Sequence, residues 1–274
     1  MTDRVDILQR RLTAIDEIGD VVGALRAIAS ANAAAARGTL AALMAYEAQV
    51  RAALIRLAPP PDGAPASGPG LVLLIGASQG FCGAYPMRLA EAARDLVPPG
   101  AGLLAIGQRT TALLHESGIT PVFSADLPAT PADIPALASR ITDAIVDRTA
   151  AHPGPISSLS GRDQPGESIA LRPIWPPEAS DLAHGDAPPP LTTMPPADLA
   201  LGLWMELLFA AIARALSEGL RVENLARIEA MARAESHIRD RRLDLTRRQR
   251  QARQEAMTTE LIELSSSRRQ APGP

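Results

Sequence analysis

The segment with most chemical promise is GASQGFCGA, Gly76 to Ala84, which follows the apolar run LVLLIG, Leu71 to Gly76. A glycine-rich turn at a strand end can hold a phosphate on its backbone N–H groups. The spacing is not G-x-G-x-x-G, and no G-K-[ST] follows. The segment therefore reads as a tight structural turn. Cys82 is the single cysteine of the chain, which excludes an internal disulfide and a multi-cysteine metal site and fits a reducing compartment. Set between apolar neighbours, it packs rather than attacks. The four histidines, His115, His152, His184 and His237, are scattered without ligand spacing. Glu255, Glu260 and Glu263 are helical neighbours that balance nearby arginines, and read as solvated charge. No Ser/His/Asp, Cys/His or paired-carboxylate arrangement stands out. The expectation is a chain with no catalytic, cofactor-binding or metal-ligating residues.

Charge carries a second possibility. The stretch from Arg239 to Arg253, RDRRLDLTRRQRQAR, sets seven arginines against two aspartates. It could meet nucleic acid, but no aromatic residue interleaves for stacking and the charge rings the helix. A solvated helical surface, or a surface passing acidic loops on a partner, fits better, since exposed ion pairs are worth only about 0–1 kcal/mol each and are easily made and broken. The net charge of −3 gives the whole chain no polyanion-binding character, and all 27 basic residues are arginine.

These residues sit on three zones. Residues 1–57 contain no proline and read as one long helix. A Pro/Gly-rich break, APPPDGAPASGPG, follows from Ala58 to Gly70. Residues 71–190 alternate short apolar runs with amphipathic stretches. Strands are expected at 71–76, 102–107 and 119–125, with helices at 87–97, 108–117 and 131–149. IALRPIW reads as a further strand and PEASDLAHGDAPPP as a surface loop. Strands alternating with helices imply right-handed crossovers and a parallel sheet. Residues 198–266 are again free of proline and helical, and residues 267–274 are expected to be a disordered tail. The start of the chain, MTDRVDILQRR, lacks the apolar core of a signal peptide. The most apolar stretch, Leu199 to Leu216, carries Glu206 and Arg214, and reads as too short and too charged for a membrane span.

Both end zones carry a seven-residue rhythm. In the first, Leu8, Ile15, Val22, Ala29 and Ala36 recur, with Ile18 and Leu25 filling the intervening seam. In the last, Met231, Ile238, Leu245, Ala252 and Thr259 repeat. Such seams wind helices into a left-handed supercoil. At 1.5 Å per residue the end helices would span roughly 80 Å and 100 Å, far longer than the about 10–14 residues of an ordinary globular helix. The pattern fits two ends of one chain forming a shaft, or a coiled coil that dimerises between chains. The core must be built from Ala, Leu, Ile and Val, because aromatics make up only 3%.

The plan of long helix, α/β domain and long helix resembles the gamma subunit of F-type ATP synthases. VENLARIEAM, Val222 to Met231, is similar to that family's S-E-x-x-A-R-M-x-A-M, with Glu223, Arg227, Ala230 and Met231 in place. ARQEAMTTELIEL, Ala252 to Leu264, resembles A-R-Q-x-x-I-T-x-E-[IL]-x-E-[IL], matching at Arg253, Gln254, Thr258, Glu260 and Glu263. The two segments are colinear without a gap. QGFCGAY, Gln79 to Tyr85, looks like the family turn S-D-R-G-L-C-G-G-[FL]-N at Gly80, Cys82 and Gly83, with Ser78 and Pro86 replacing its Asp and Asn. Arg10, Arg11 and Leu12 resemble the R-R-I start, and Ala24–Leu25 stands where A-M is usual. The chain departs from the family pattern at Asp16, Glu17 and Asp20, at AESHI (234–238), at Arg250 and at SSSRR. These departures fit a specialised or second-copy rotary ATPase.

The resemblance implies an antiparallel coiled coil of the terminal helices with a Rossmann-like α/β domain. It implies a non-catalytic shaft inside a head of alpha and beta subunits, meeting an epsilon-type subunit and a ring of c subunits toward the membrane. ATP and magnesium would bind the head, so this chain carries no cofactor, binds no nucleic acid and touches the membrane only through partners, on the cytoplasmic face of a bacterial inner membrane. Arg253, Gln254, Thr258 and Glu260 are its expected head contacts, with Arg227 and Glu223 lower down. Leu25 either packs on a beta-subunit lobe or simply fills the seam. The rival readings are a homodimeric coiled-coil adaptor and a nucleotide-binding enzyme with helical arms.

Overall fold

The computed structural model describes residues 2–57, 68–161, 169–177 and 190–270, with side chains between 4 and 262. Most of the proline-rich break and of the 177–190 loop lies outside the described residues. The order is α1 (Thr2–Leu57), β1 (Leu71–Ile75), α2 (Tyr85–Leu96), β2 (Gly102–Ile106), α3 (Gln108–Glu116), β3 (Phe123–Ala125), a 3-10 turn (Pro131–Asp133), α4 (Ile134–Arg148), β4 (Ile156–Ser160), β5 (Ala170–Trp175) and α5 (Pro196–Gln270). Helix α5 runs past the expected boundary at 266 to Gln270, and residues 271–274 lie outside the described residues. The chain divides into two compact units, Met1–Ile28 with Ala230–Pro274, and Ala29–Glu229.

The first unit pairs the two ends of the chain. Leu8 and Leu12 pack with Leu245 and Ala252, flanked by Val5 and Ile15. Ion pairs run alongside: Arg4 to Glu255 at 3.3 Å, Asp16 to Arg242 at 2.7 Å and Arg26 to Glu235 at 2.6 Å. The partner's number falls as the first number rises, so the helices are antiparallel. Gln249 is buried in the seam and donates to the Gln9 side-chain oxygen. A buried polar side chain in an apolar seam favours one register, because a slip would carry Gln249 away from Gln9, the exposed partner that it bonds. The seam of α5 is the expected one, with Met231, Leu245 and Ala252 buried and Ile238 and Thr259 half-buried. Of the two intervening positions expected on α1, Leu25 is half-buried and Ile18 departs from expectation. Ile18 is 54% exposed, whereas Leu12 and Ala33 are buried. The buried stripe steps four and then three residues from Leu8 to Leu12 and Ile15, and again from Ala29 to Ala33 and Ala36, and Ile18 falls on the other flank.

The second unit is built on a five-stranded sheet in the order β3-β2-β1-β4-β5. The first four strands are parallel, and β5 lies antiparallel on β4 with a register irregularity at Ile156/Ser157. The LVLLI run of β1 is buried on both faces, as a central parallel strand requires. Leu71, Leu73 and Ile75 face Ile141 and Ile145 of α4 and Ile212, Leu216 and Leu220 of α5. Val72 and Leu74 face Leu89 and Ala93 of α2 and Leu114 of α3. Strand β4, ISSLS, carries too little apolar periodicity to be read from sequence, and the third strand is shorter than expected, at Phe123–Ala125.

The N-terminal part of α5 has an 18-residue window of mean hydropathy 1.8, so by length and composition it meets the test for a membrane span in spite of its charges. Half of that window is buried in the protein, with Ile212, Ala213 and Leu216 inaccessible in the sheet's core. Glu47 of α1 accepts from Arg214 Nε at 2.9 Å, and Glu218 bridges Arg214 at 3.1 Å and Arg172 of β5 at 3.0 Å. Burial disfavours the Arg214 charge, but Glu47 and Glu218 outweigh it and hold the guanidinium above its ordinary value. This chain of charges ties α1, α5 and the antiparallel edge strand together.

Candidate functional site

The residues expected to carry function fall into two groups in different surroundings. Arg253, Gln254, Thr258 and Glu260 are all exposed on α5 in the first unit. Thr258 donates its hydroxyl back to the Gln254 carbonyl at 2.9 Å, a local helix bond that leaves the side chains of Arg253, Gln254 and Glu260 facing solvent. Leu25 is half-buried on α1. The arginine-rich stretch is partly self-paired, through Arg248 to Asp244 at 3.1 Å and Arg241 to Asp244 at 3.6 Å.

Glu223 and Arg227 lie in the second unit and point inward. They are 3% and 6% exposed. Spaced four apart on α5, they share one helix face, and Arg227 donates to the Glu223 carboxylate at 2.5 Å. Both then reach the glycine-rich turn after β1. The Glu223 carboxylate accepts from the backbone N–H of Gln79 at 3.1 Å and of Ser78 at 3.4 Å. Arg227 Nε donates to the Gly80 carbonyl at 3.1 Å, and its terminal nitrogens donate to Asn224 Oδ1 at 2.9 Å and to Cys82 Sγ at 3.3 Å. Sequence reasoning missed Gln79, Ser78 and Asn224. The one available signal was the i, i+4 acid–base pair embedded among Leu, Ala and Ile, where a solvated pair is out of place.

The turn itself is held under constraint. Phe81 is a non-glycine residue at φ 65°, yet it is 66% exposed. The left-handed conformation is costly for a bulky residue and persists only where the surroundings fix it. The bonds from Arg227 to Gly80 and Cys82, on either side of Phe81, supply that fixing. Gly76 admits no side chain, because a Cβ there would stand 2.2 Å from Thr110 Oγ1, the atom that accepts from Ala77 N–H.

Cys82 is a buried free thiol. Burial pushes its thiol up to about 11, against the lowering effect of Arg227. A thiol raised by burial is bound to its proton more tightly in the folded chain than in the unfolded one. Its contribution to stability is therefore complete below the ordinary thiol value of 9 and is lost as pH climbs from 9 through 11. Alkylation by iodoacetamide at pH 8 is expected to be at least tenfold slower in the native chain than in urea, and an equal rate would contradict this burial. Among the described residues, no group of three or more His, Cys, Asp or Glu side chains could hold a metal ion.

A family model described as ATP synthase matches residues 4–269. The chain belongs to the ATP synthase gamma-subunit family. No curated protein sequence matches it with significance. Among solved structures, a chain of the Euglena gracilis mitochondrial ATP synthase in its OSCP/F1/c-ring assembly, rotational state 3, superposes with a TM-score of 0.66 at 16% identity, covering 100% of this chain and 98% of that one. A chain of the rotor of the same enzyme, rotational state 1, gives 0.62 at 14% identity, covering 94% and 100%. A chain of the Tetrahymena thermophila central stalk/c-ring gives 0.50 at 12% identity, covering 78% and 99%. At these identities the superpositions speak for the fold, and the gamma-family assignment rests on the match across nearly the whole sequence. The parallel sheet expected from the residue pattern is present apart from the antiparallel β5, and so are the antiparallel terminal helices that the family resemblance implies.

Proposed function

We propose that this chain is the central rotor shaft of an F-type ATP synthase or ATPase, coupling rotation of a membrane ring to conformational change in a catalytic head of alpha and beta subunits. The observation that carries the reading is the pairing of the chain's own ends. Leu8 and Leu12 meet Leu245 and Ala252, and ion pairs run on from Arg4 to Arg26, within a chain matched by the family from residue 4 to 269. A helix pair closed within one chain leaves no need for a second copy, which counts against the homodimeric adaptor. The shaft is non-catalytic, and its epsilon-type and c-ring partners lie toward the membrane, on the cytoplasmic face of a bacterial inner membrane. A shaft can alter its neighbours only through contacts that differ between their conformations.

Arg253, Gln254, Thr258 and Glu260 are the head contacts in this reading, because their side chains are exposed on the paired helices. Leu25 completes that surface or fills the seam. Glu223 and Arg227 serve the same function from inside, by fixing α5 to the turn that carries Phe81. Replacing Arg253 and Gln254 together with alanine is expected to cut ATP synthesis severalfold in reconstituted membranes, with the unfolding midpoint of the isolated chain unchanged. Undiminished synthesis by the double variant would remove these two residues from the contact set. Sedimentation of the wild-type chain should give a monomer, and a stable dimer would favour the adaptor.

A further inference from the structure

In open sheets with helices on both faces, ligands bind outside the carboxyl ends of the strands, at the point where the strand order reverses. Here that point lies between β1 and β4, because the chain lays β2 and β3 on one side of β1 and β4 and β5 on the other. Helix α5 occupies it. Gly161, just beyond β4, could not carry a Cβ, which would stand 2.8 Å from Val222 Cγ1 and 2.9 Å from Tyr85. Next to Val222, the Glu223 carboxylate lies on the successive N–H groups of Ser78 and Gln79, beside the Arg227 guanidinium. Successive backbone N–H groups in a turn form an anion-binding concavity, and a guanidinium is the matching counter-charge for a carboxylate or phosphate.

We propose that the turn after β1 is an oxyanion site whose resident ligand is the chain's own Glu223. The site has every element that a free carboxylate or phosphate would need: two N–H donors, a buried guanidinium and exclusion of water. It is closed to solution because the anion is part of α5. The glycine-rich turn thus does bind an oxyanion, although its spacing matches no nucleotide fingerprint, and the bound anion docks the long helix on the sheet.

Chemical replacement of the ligand tests this. Glu223→Ala removes the carboxylate and leaves its donors and Arg227 in place. In the full chain, sodium formate or sodium phosphate is expected to raise the folded-to-unfolded ratio of this variant by about tenfold at ten times the dissociation constant. Sodium chloride at equal ionic strength should not do so, and wild type should show only the small general salt effect. Glu223→Gln, which fills the space without the charge, should not respond to either oxyanion. If the alanine variant is unfolded in chloride, its refolding on addition of formate reads the same equilibrium. Equal responses of wild type and Glu223→Ala, or an alanine variant that no oxyanion restores, would overturn the proposal.

Discussion

Arg227→Ala is expected to lower the stability of the chain by about 3–5 kcal/mol, the range found when one member of a buried ion pair is removed. Arg227 is 6% exposed and gives bonds to Glu223, Asn224, Gly80 and Cys82. Its loss strands the Glu223 carboxylate, itself 3% exposed, with only two backbone donors. It also leaves the Gly80 carbonyl without its guanidinium donor. Urea unfolding followed by circular dichroism reads the loss directly. The Glu223→Ala/Arg227→Ala double variant should fall short of the sum of the two singles by about 0.5–3 kcal/mol, because the two residues act through one network. A loss below about 1 kcal/mol for Arg227→Ala, typical of exposed pairs, would show that water reaches the pair and that the turn is not anchored as described.

Gly219→Ala is expected to be the second large effect, and its sign is the informative part. Glycine inside a helix is about 1 kcal/mol less favourable than alanine, so on propensity alone the change would stabilise α5. A Cβ at this position would stand 2.1 Å from Ile75 Cγ2 and 3.0 Å from Ile75 Cβ. Ile75 is fully buried at the end of the central strand, and its branched side chain has few rotamers to retreat into. Overpacking a close-fitted core costs about 1–3 kcal/mol. We expect the clash to outweigh the propensity gain and Gly219→Ala to lower the thermal midpoint by a few degrees. The pair Gly219→Ala/Ile75→Val should not restore it, since valine keeps the offending methyl position. An unchanged or raised midpoint for Gly219→Ala would show that α5 has room to lift off the sheet.

Much of this architecture could be read from the residues, for reasons that differ between elements. The LVLLI strand and the Met231–Leu245–Ala252 seam were legible because burial on two faces, or on one helical stripe, leaves few residue types available. Strand β4 escaped because ISSLS is mostly serine. It gains its place by pairing with β1 and β5 rather than by its own pattern. Ile18 misled because heptad counting admits a step of three or four, and the packing of the partner helix decides which is used. The buried Glu223–Arg227 pair shows the harder case. A motif resemblance located both residues, yet nothing in their spacing states whether they face outward to a partner or inward to a turn more than 140 positions earlier in the chain. The apolar neighbours Leu225, Ala226 and Ile228 hint at burial, but which turn receives the pair is decided by tertiary packing.

The partners at the two ends of the chain are separated by 240 positions, as with Gln9 and Gln249. A ribosome adding about 5–20 residues per second makes α1 wait roughly 10–50 s for the segment that covers it. Throughout that interval Leu8 and Leu12 have no mate, although the intervening sheet can already be folding. Early emergence of an unshielded apolar stripe is a hazard for biosynthesis, and it places a demand on chaperones that is set by the chain's topology rather than by its final stability.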